Sequence, residues 1–174
     1  MPDPAPLRLE PFAEHHLPAL DAVLADAEVL RFTRIPEPVP PDFARSWLAR
    51  YERGREAGTS EAFAALGGGN GTFVGLALAP TIDREAGEVE LGYLVTPAAR
   101  GRGVATAMLR VLTDWALNDL GAQRAYLIVD VTNGASQTVA ERAGYVREGV
   151  LRSLHVKQDR RADCIVYSRL PSDG

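Results

Sequence analysis

Apolar and polar positions along the chain change period several times, and each change predicts an element. From Glu88 to Val95 the apolar residues are interleaved with Glu88, Glu90 and Gly92, the two-residue period of a strand. Pro97 lacks a backbone donor and is expected to end that strand. Beyond Gly101-Arg102-Gly103, the residues Val104, Met108, Val111, Leu112 and Trp115 share one helical face. That helix is expected to run to about Asp119, with Gly121 as its stop. Upstream, Leu7 to Phe12 predicts a first strand, and His15 to Leu30 a helix through Leu17, Leu20, Val23 and Leu24. Ile35 to Pro41 carries four prolines, which preclude regular helix and favour an extended loop. Asp42 is the expected N-cap of a helix bearing Phe43, Trp47, Leu48 and Tyr51. Glu61–Leu66 and Thr72–Ala79 predict two strands joined by G-G-G-N-G, with Asn70-Gly71 at the turn. A second turn, P-T-I-D-R-E-A-G, returns the chain to Glu88, so strands two to four form a meander.

In the second half, Ala125–Val131 is a β-branched apolar run bounded by turn residues, the mark of a buried strand. A helix separates it from the Glu88–Val95 strand, so the two are expected to be parallel. Asn133 to Ala143 predicts a short helix with Asn133 as N-cap and Gly144 as its end. Two closing strands follow, from Tyr145 to about His155 and from Ala162 to Leu170. Residues 1–6, M-P-D-P-A-P, are expected to be a frayed tail. No repeat or second domain is visible, so the expectation is one domain over residues 1–174.

Composition narrows the function classes. The chain has 174 residues, 46% hydrophobic and 24% charged, as in an ordinary soluble domain with a sizeable core. No apolar run approaches the roughly 18 residues of a transmembrane helix, and no signal peptide opens the chain, so a cytoplasmic protein without a membrane partner is expected. A net charge of −4 argues against nucleic acid as a direct partner and is compatible with an amine substrate. The single cysteine, Cys164, excludes an internal disulfide, and the three histidines lack zinc-ligand spacing, so no metal is expected.

The Gly/Arg loop carries the candidate chemistry. Gly101 and Gly103 allow positive φ and let a ligand approach the backbone. No Ser, Thr, Asp or Asn stands at the expected N-cap, so the first amides of the following helix lack an obvious partner. The helix dipole and the charges of Arg100 and Arg102 favour an anion there, such as a phosphate. A Walker loop is excluded by the missing lysine and the spacing, and a dinucleotide fingerprint fits poorly because Thr106 stands at its last small position. A Gly-rich turn with a solvated arginine pair remains the plain alternative.

The stretch V-T-P-A-A-R-G-R-G-V-A resembles the acetyl-CoA signature of the GNAT superfamily of N-acetyltransferases, whose core Q/R-x-x-G-x-G/A is met by Arg100, Gly103 and Ala105. The preceding E-L-G-Y-L-V is similar to that family's fourth strand. N-G-A-S-Q-T-V-A-E-R-A-G-Y resembles its second cofactor segment, most closely in the subgroup that acetylates ribosomal-protein N-termini and related amines. The resemblance covers about residues 7–170. It implies an α+β fold: a mixed, mostly antiparallel sheet of six to seven strands, helices on both faces, splayed between strands four and five. It implies acetyl-CoA as co-substrate, with the pyrophosphate on the backbone of Arg100, Gly101, Arg102, Gly103, Val104 and Ala105. The pantetheine arm is expected along Leu94 and Val95. Asn133 matches a cofactor-contacting asparagine, with plain capping as its other role.

Ser136 matches the subgroup serine near the coenzyme sulfur; its plain role is a first-turn helix serine. Ala140 stands where many members carry a general-acid tyrosine, so that role does not transfer. For the base, Glu90 is the first candidate, since a carboxylate in an apolar cleft has its pKa raised towards a useful range. His155 is the second, with a ring that titrates near neutrality. Their plain roles are an exposed strand glutamate or salt-bridge partner, and a half-buried or solvated histidine. Asp130 is expected to be structural, and Tyr93 and Tyr126 core residues. The implied activity is transfer of acetyl to a primary amine by direct attack. The acceptor is a protein N-terminus or, alternatively, a small amine such as an amino acid, polyamine or antibiotic. A coenzyme-A-binding sensor without turnover is the reading outside the enzyme class. The expected assembly is a monomer or homodimer. The proline-rich loop either walls the acceptor site or merely connects core helices.

Overall fold

The computed structural model describes residues 7–174, and the expected tail, residues 1–6, lies outside the described residues. Seven strands form one sheet in the order β1-β2-β3-β4-β5-β7-β6. They are β1 (Arg8–Pro11), β2 (Glu61–Gly67), β3 (Thr72–Asp83), β4 (Glu88–Val95), β5 (Arg124–Asp130), β6 (Val146–Lys157) and β7 (Arg160–Arg169). The helices are α1 (Leu17–Leu24), α2 (Ala27–Phe32), α3 (Phe43–Ala57), α4 (Val104–Asp114) and α5 (Gly134–Arg142). Every paired neighbour is antiparallel except β4 and β5. That pair is parallel over three residue pairs, Glu88–Arg124, Val89–Ala125 and Glu90–Tyr126, and then parts. The splayed mixed sheet is the fold the resemblance implied.

Both faces of the sheet are covered. On one, Met108, Leu109, Leu112 and Ala116 of the α4 segment pack on Val89, Leu91 and Val95, with Ala140 of α5 beside them. On the other, Leu20, Val23, Val29, Leu48 and Tyr51 of α1–α3 pack on Ala62, Leu76, Leu78 and Leu94. Central β2 and β3 use alanine heavily: Ala62, Ala64, Ala65, Ala77 and Ala79 are fully buried. Small side chains on a strand covered from both sides let the helices approach closely.

Two local expectations change, and the helix from Val104 keeps its expected end and glycine stop with a different last turn. The single helix expected over residues 15–30 is broken into a 3₁₀ turn, α1 and α2. Asp26 starts α2 afresh, because its Oδ1 accepts the Val29 N–H at 3.0 Å. The strand expected to end at Ala79 continues to Asp83. Pro80 is absorbed by a bulge between Leu78 and Thr81, where a missing donor leaves no ladder bond broken. The helix from Val104 ends in a π-helical turn over Trp115–Asp119, and the Ala122 N–H closes it on the Ala116 carbonyl with Gly121 at φ 78°. Leu109, outside the expected apolar face, is fully buried at its centre.

Strand β4 is pressed onto β3 at Gly75. A Cβ built there would lie 2.0 Å from the Leu94 carbonyl oxygen. Gly75→Ala is therefore expected to destabilise the fold by about 1–3 kcal/mol, as overpacking does. A urea unfolding curve would show it as a lower midpoint with an unchanged slope.

Candidate active site

The parting of β4 from β5 opens a cleft of about 980 Å³. Its floor is β4, and its walls come from α2, α3 and the loop between them on one side and from α4 and α5 on the other. Of the sequence candidates, Glu90, Leu94, Val95, Arg100, Gly101, Gly103, Val104, Ala105, Asn133, Ser136 and His155 all line it; Arg102 does not.

Strand alternation sorts these residues by face. Val89, Leu91, Tyr93 and Val95 belong to the cluster under α4 and α5, whereas Leu94 belongs to the cluster under α1–α3. Glu90 and Gly92, even-numbered like Leu94, share its face. The backbone alternates too. The Thr96 N–H bonds the Val74 carbonyl at 2.9 Å, and the Leu94 carbonyl is turned to Gly75. Val95 therefore directs its N–H into the gap. Of the two residues expected along a pantetheine arm, Val95 offers backbone hydrogen bonding there; Leu94 offers its side chain.

The Gly/Arg loop leads into α4 with Gly101 at φ 72° and Gly103, its N-cap, at φ 77°. No side chain caps α4. In contrast, Asn133 Oδ1 caps α5 by accepting the Ser136 N–H at 3.1 Å. Asn133 thus fills its plain role while lining the cleft, where its amide NH₂ is a further donor. Arg100 is not a free charge. Its guanidinium pairs with Asp26 at 2.7 Å and Glu28 at 3.2 Å and donates to the Val95 carbonyl at 3.2 Å. That guanidinium holds the Asp26 carboxyl below its usual range. Arg102 is exposed and donates to the Ala98 carbonyl. An anion at this loop would rest chiefly on main-chain N–H groups and the helix dipole.

Two titratable groups stand on the α1–α3 side. Burial pushes the Glu90 carboxyl up, partly offset by the Arg34 charge and a 3.4 Å bond from Thr81 Oγ1. Burial and Arg34 both push the His155 ring down, against the pull of Asp130. On the other face sits a pair that sequence reasoning missed: the Tyr93 hydroxyl lies 2.8 Å from Ser136 Oγ. Burial pushes the Tyr93 phenol up to about 12, so it remains a proton carrier at neutral pH. Tyr93 reads as a core residue from its strand position, and its alternation with Leu91 and Val95 indicates the face but not the partner. Thr106, Thr138 and Arg142 also line the α4–α5 wall without a sequence signal.

Cys164 is fully buried and burial pushes its thiol up, which keeps the reactive thiolate form scarce. Glu10, His15 and His16 bring ligand-type atoms within 4.8 Å of one another, a cluster the spacing argument did not foresee. The Ala13 N–H donates to His16 Nδ1 at 3.0 Å, which puts the ring proton on Nε2, 2.8 Å from Glu10. A metal there would have to displace a proton already in use. Among the described residues no helix is long and apolar enough to cross a membrane.

Residues 6–146 match a family model described as the acetyltransferase (GNAT) domain. A crystal structure described provisionally as an acetyltransferase is 31% identical, covers 96% of this chain and 87% of its own, and superposes with a TM-score of 0.79. RimL, the ribosomal L7/L12 alpha-N-protein acetyltransferase in complex with coenzyme A, shares the fold at a TM-score of 0.87, 19% identity, and coverage of 97% and 96%. Spermidine N-acetyltransferase from Vibrio cholerae, in complex with coenzyme A and spermine, does so at 0.83, 19%, and 97% of each chain. YdaF of Bacillus subtilis (strain 168), provisionally named a ribosomal N-acetyltransferase, is 29% identical over 101 residues, 58% of this chain. The aligned region spans about half of that relative, 55%, and 34% of a second one, YjcK.

The Gly/Arg loop makes one measurable demand. No atom lies within 4 Å of a Cβ built on Gly103, so the space there is open. Gly103→Val should cost about 1–2 kcal/mol of folding stability through its left-handed backbone. It should weaken coenzyme A binding at least tenfold in calorimetry by blocking close approach. Unchanged affinity in the folded variant would sink the pyrophosphate assignment.

Proposed function

The chain belongs to the acetyltransferase (GNAT) family, and from that premise we propose that it moves an acetyl group from acetyl-CoA to a primary amine by direct attack. One observation carries the reading: the gap between β4 and β5 joins two faces of the sheet, with Glu90 on one and the Tyr93–Ser136 pair on the other. Acetyl-CoA supplies an activated acyl carbon. Transfer forms an N–C bond, breaks a C–S bond, takes a proton from nitrogen and meets negative charge on sulfur. A base is therefore needed on the acceptor side and a donor on the thiol side.

The backbone of Arg100, Gly101, Gly103, Val104 and Ala105 holds the pyrophosphate in this reading, and the Val95 N–H faces the thioester oxygen as an oxyanion donor would. Asn133 adds a polar contact from α5. Glu90, raised by burial, accepts the amine proton directly or through water. His155, pushed towards its neutral form by burial and Arg34, is the second acceptor of that proton. Ser136, backed by the Tyr93 phenol, donates a hydrogen bond to the leaving thiolate. The burial of Cys164 favours direct attack over a covalent acetyl-cysteine route. The acceptor is a peptide N-terminus or a small amine, and the setting is the cytoplasm, where acetyl-CoA and free amines meet.

Free-thiol release from acetyl-CoA, measured against peptides with free and blocked N-termini and against small amines, tests the proposal. Release that requires a free amine is the expected result. Coenzyme binding without release on any acceptor would make the protein a sensor instead.

Glu90 makes a paired demand on stability and rate. A carboxyl raised by folding contributes stability when protonated, below its ordinary pKa, and loses it as pH rises through the raised value. Above that raised value the ionised Glu90 is thus a cost to the fold. Glu90→Gln should raise the unfolding midpoint at pH 7, with the gain shrinking in acid. It should also lower kcat/KM about a hundredfold or more and remove the ascending limb of the pH profile. His155→Ala, assayed alongside, should take that limb instead if the ring is the base.

A further inference from the structure

The acceptor wall carries positive charge that the amine chemistry does not require. Arg34, in the loop after α2, and Arg50, on α3, both line the cleft. Among the described residues neither has a carboxylate within ion-pairing distance, whereas Arg100 in the same cleft is held by Asp26 and Glu28. Arg34 is close enough to Glu90, His155 and Cys164 for its charge to be felt at all three.

Behind Arg34 a second, smaller pocket of about 60 Å³ adjoins the cleft, sharing Phe32, Thr33, Arg34, Asp130 and His155 with it. Its lining includes Arg31, Arg34, Lys157, Arg160 and Arg161. The carboxylates there are Glu37 and Asp130. Glu37 is already engaged by Lys157 at 2.5 Å, and Asp130 accepts both the N–H and the hydroxyl of Thr132. A chain of net charge −4 therefore concentrates cations at this one place.

We propose that the acceptor is a primary amine that also carries an anionic carboxylate group, which Arg34 and the basic pocket behind it bind while the amine faces Glu90. This rests on the transferase reading and names its substrate class. A guanidinium recognises a carboxylate through paired N–H donors, and the same charge repels a polycation at the cleft mouth. The carboxylate has two sources: the α-carboxylate of an amino acid, or acidic side chains close behind a peptide N-terminus. Arg50, stacked towards Tyr51 at 5.7 Å, extends the positive wall along α3.

Calorimetry on the protein saturated with coenzyme A tests this without turnover. The probes are Ala-Asp-Asp-amide against Ala-Asn-Asn-amide, alanine against alaninamide, and spermidine. The acidic member of at least one pair should bind tenfold to a hundredfold tighter than its neutral partner, the range of a charge-assisted hydrogen bond. Preference within the peptide pair assigns the carboxylate to acidic side chains; preference within the alanine pair assigns it to an amino acid. Arg34→Glu should reduce that ratio to near one, and the milder Arg34→Gln should reduce it in part, both with unchanged coenzyme A affinity. Equal binding within both pairs, tighter binding of spermidine, or an Arg34→Glu loss shared equally by coenzyme A would overturn the proposal. Thiol release separates the two readings. Release favouring spermidine sinks the anionic acceptor alone, and acid-selective binding without release from any amine sinks the transferase alone.

Discussion

The molecule depends on one interrupted interaction, the backbone pairing of β4 with β5. Three residue pairs hold the strands together and no more. A sheet that lost the first three would come apart between its meander and its closing strands. A sheet that continued them would have no cleft. The strand keeps its shape past the break because β3 remains paired with it from Gly75 to Asp83. Helices on both faces bury Leu91, Leu94 and Val95, beyond the end of the ladder. Burial of large aliphatic side chains, each worth about 1.5–3 kcal/mol, thus replaces hydrogen bonding where the β4–β5 ladder stops.

The break also decides how chemistry is distributed. Because β4 is reached from above and below, neighbouring side chains on one strand face opposite sides of the cleft. Glu90 faces the α1–α3 side of the cleft, and Tyr93 faces Ser136 on α5. The two protons of an acyl transfer then need not share a pocket, and the environment of each group is set by a different helix pair. Burial raises both groups, but the outcomes differ: a carboxyl pushed towards its neutral form and a phenol kept protonated at neutral pH.

Much of this was legible in the chain. The strand, proline, glycine loop and helix from Glu88 to Thr106 carry their own periodicity and punctuation, so element type and order could be read locally. Asn133 could be read as a cap for the same reason. The features that escaped have causes distant in sequence. The break at Asp26 is tied to Arg100, 74 positions away. Pro80 stays in a strand because β4 supplies a partner for a bulge. Tyr93 reads as a core residue until α5 brings Ser136 to its hydroxyl, 43 positions on. Arg34 sits beside a proline-rich loop, where no period signals its orientation, and only the fold sets it beside the β6–β7 hairpin.

The Asp26–Arg100 contact has a thermodynamic side. Asp26 both starts α2, a wall of the cleft, and holds the arginine at the head of the Gly/Arg loop. In the proposed reading, a ligand that disturbed that pair would disturb the element facing the other ligand as well. Any free energy so exchanged must be reciprocal: a factor by which the coenzyme alters acceptor affinity is the factor by which the acceptor alters affinity for the coenzyme. In the proposed reading a single carboxylate would then tie the two halves of the cleft together, so that the order of loading would be open to tuning at Asp26.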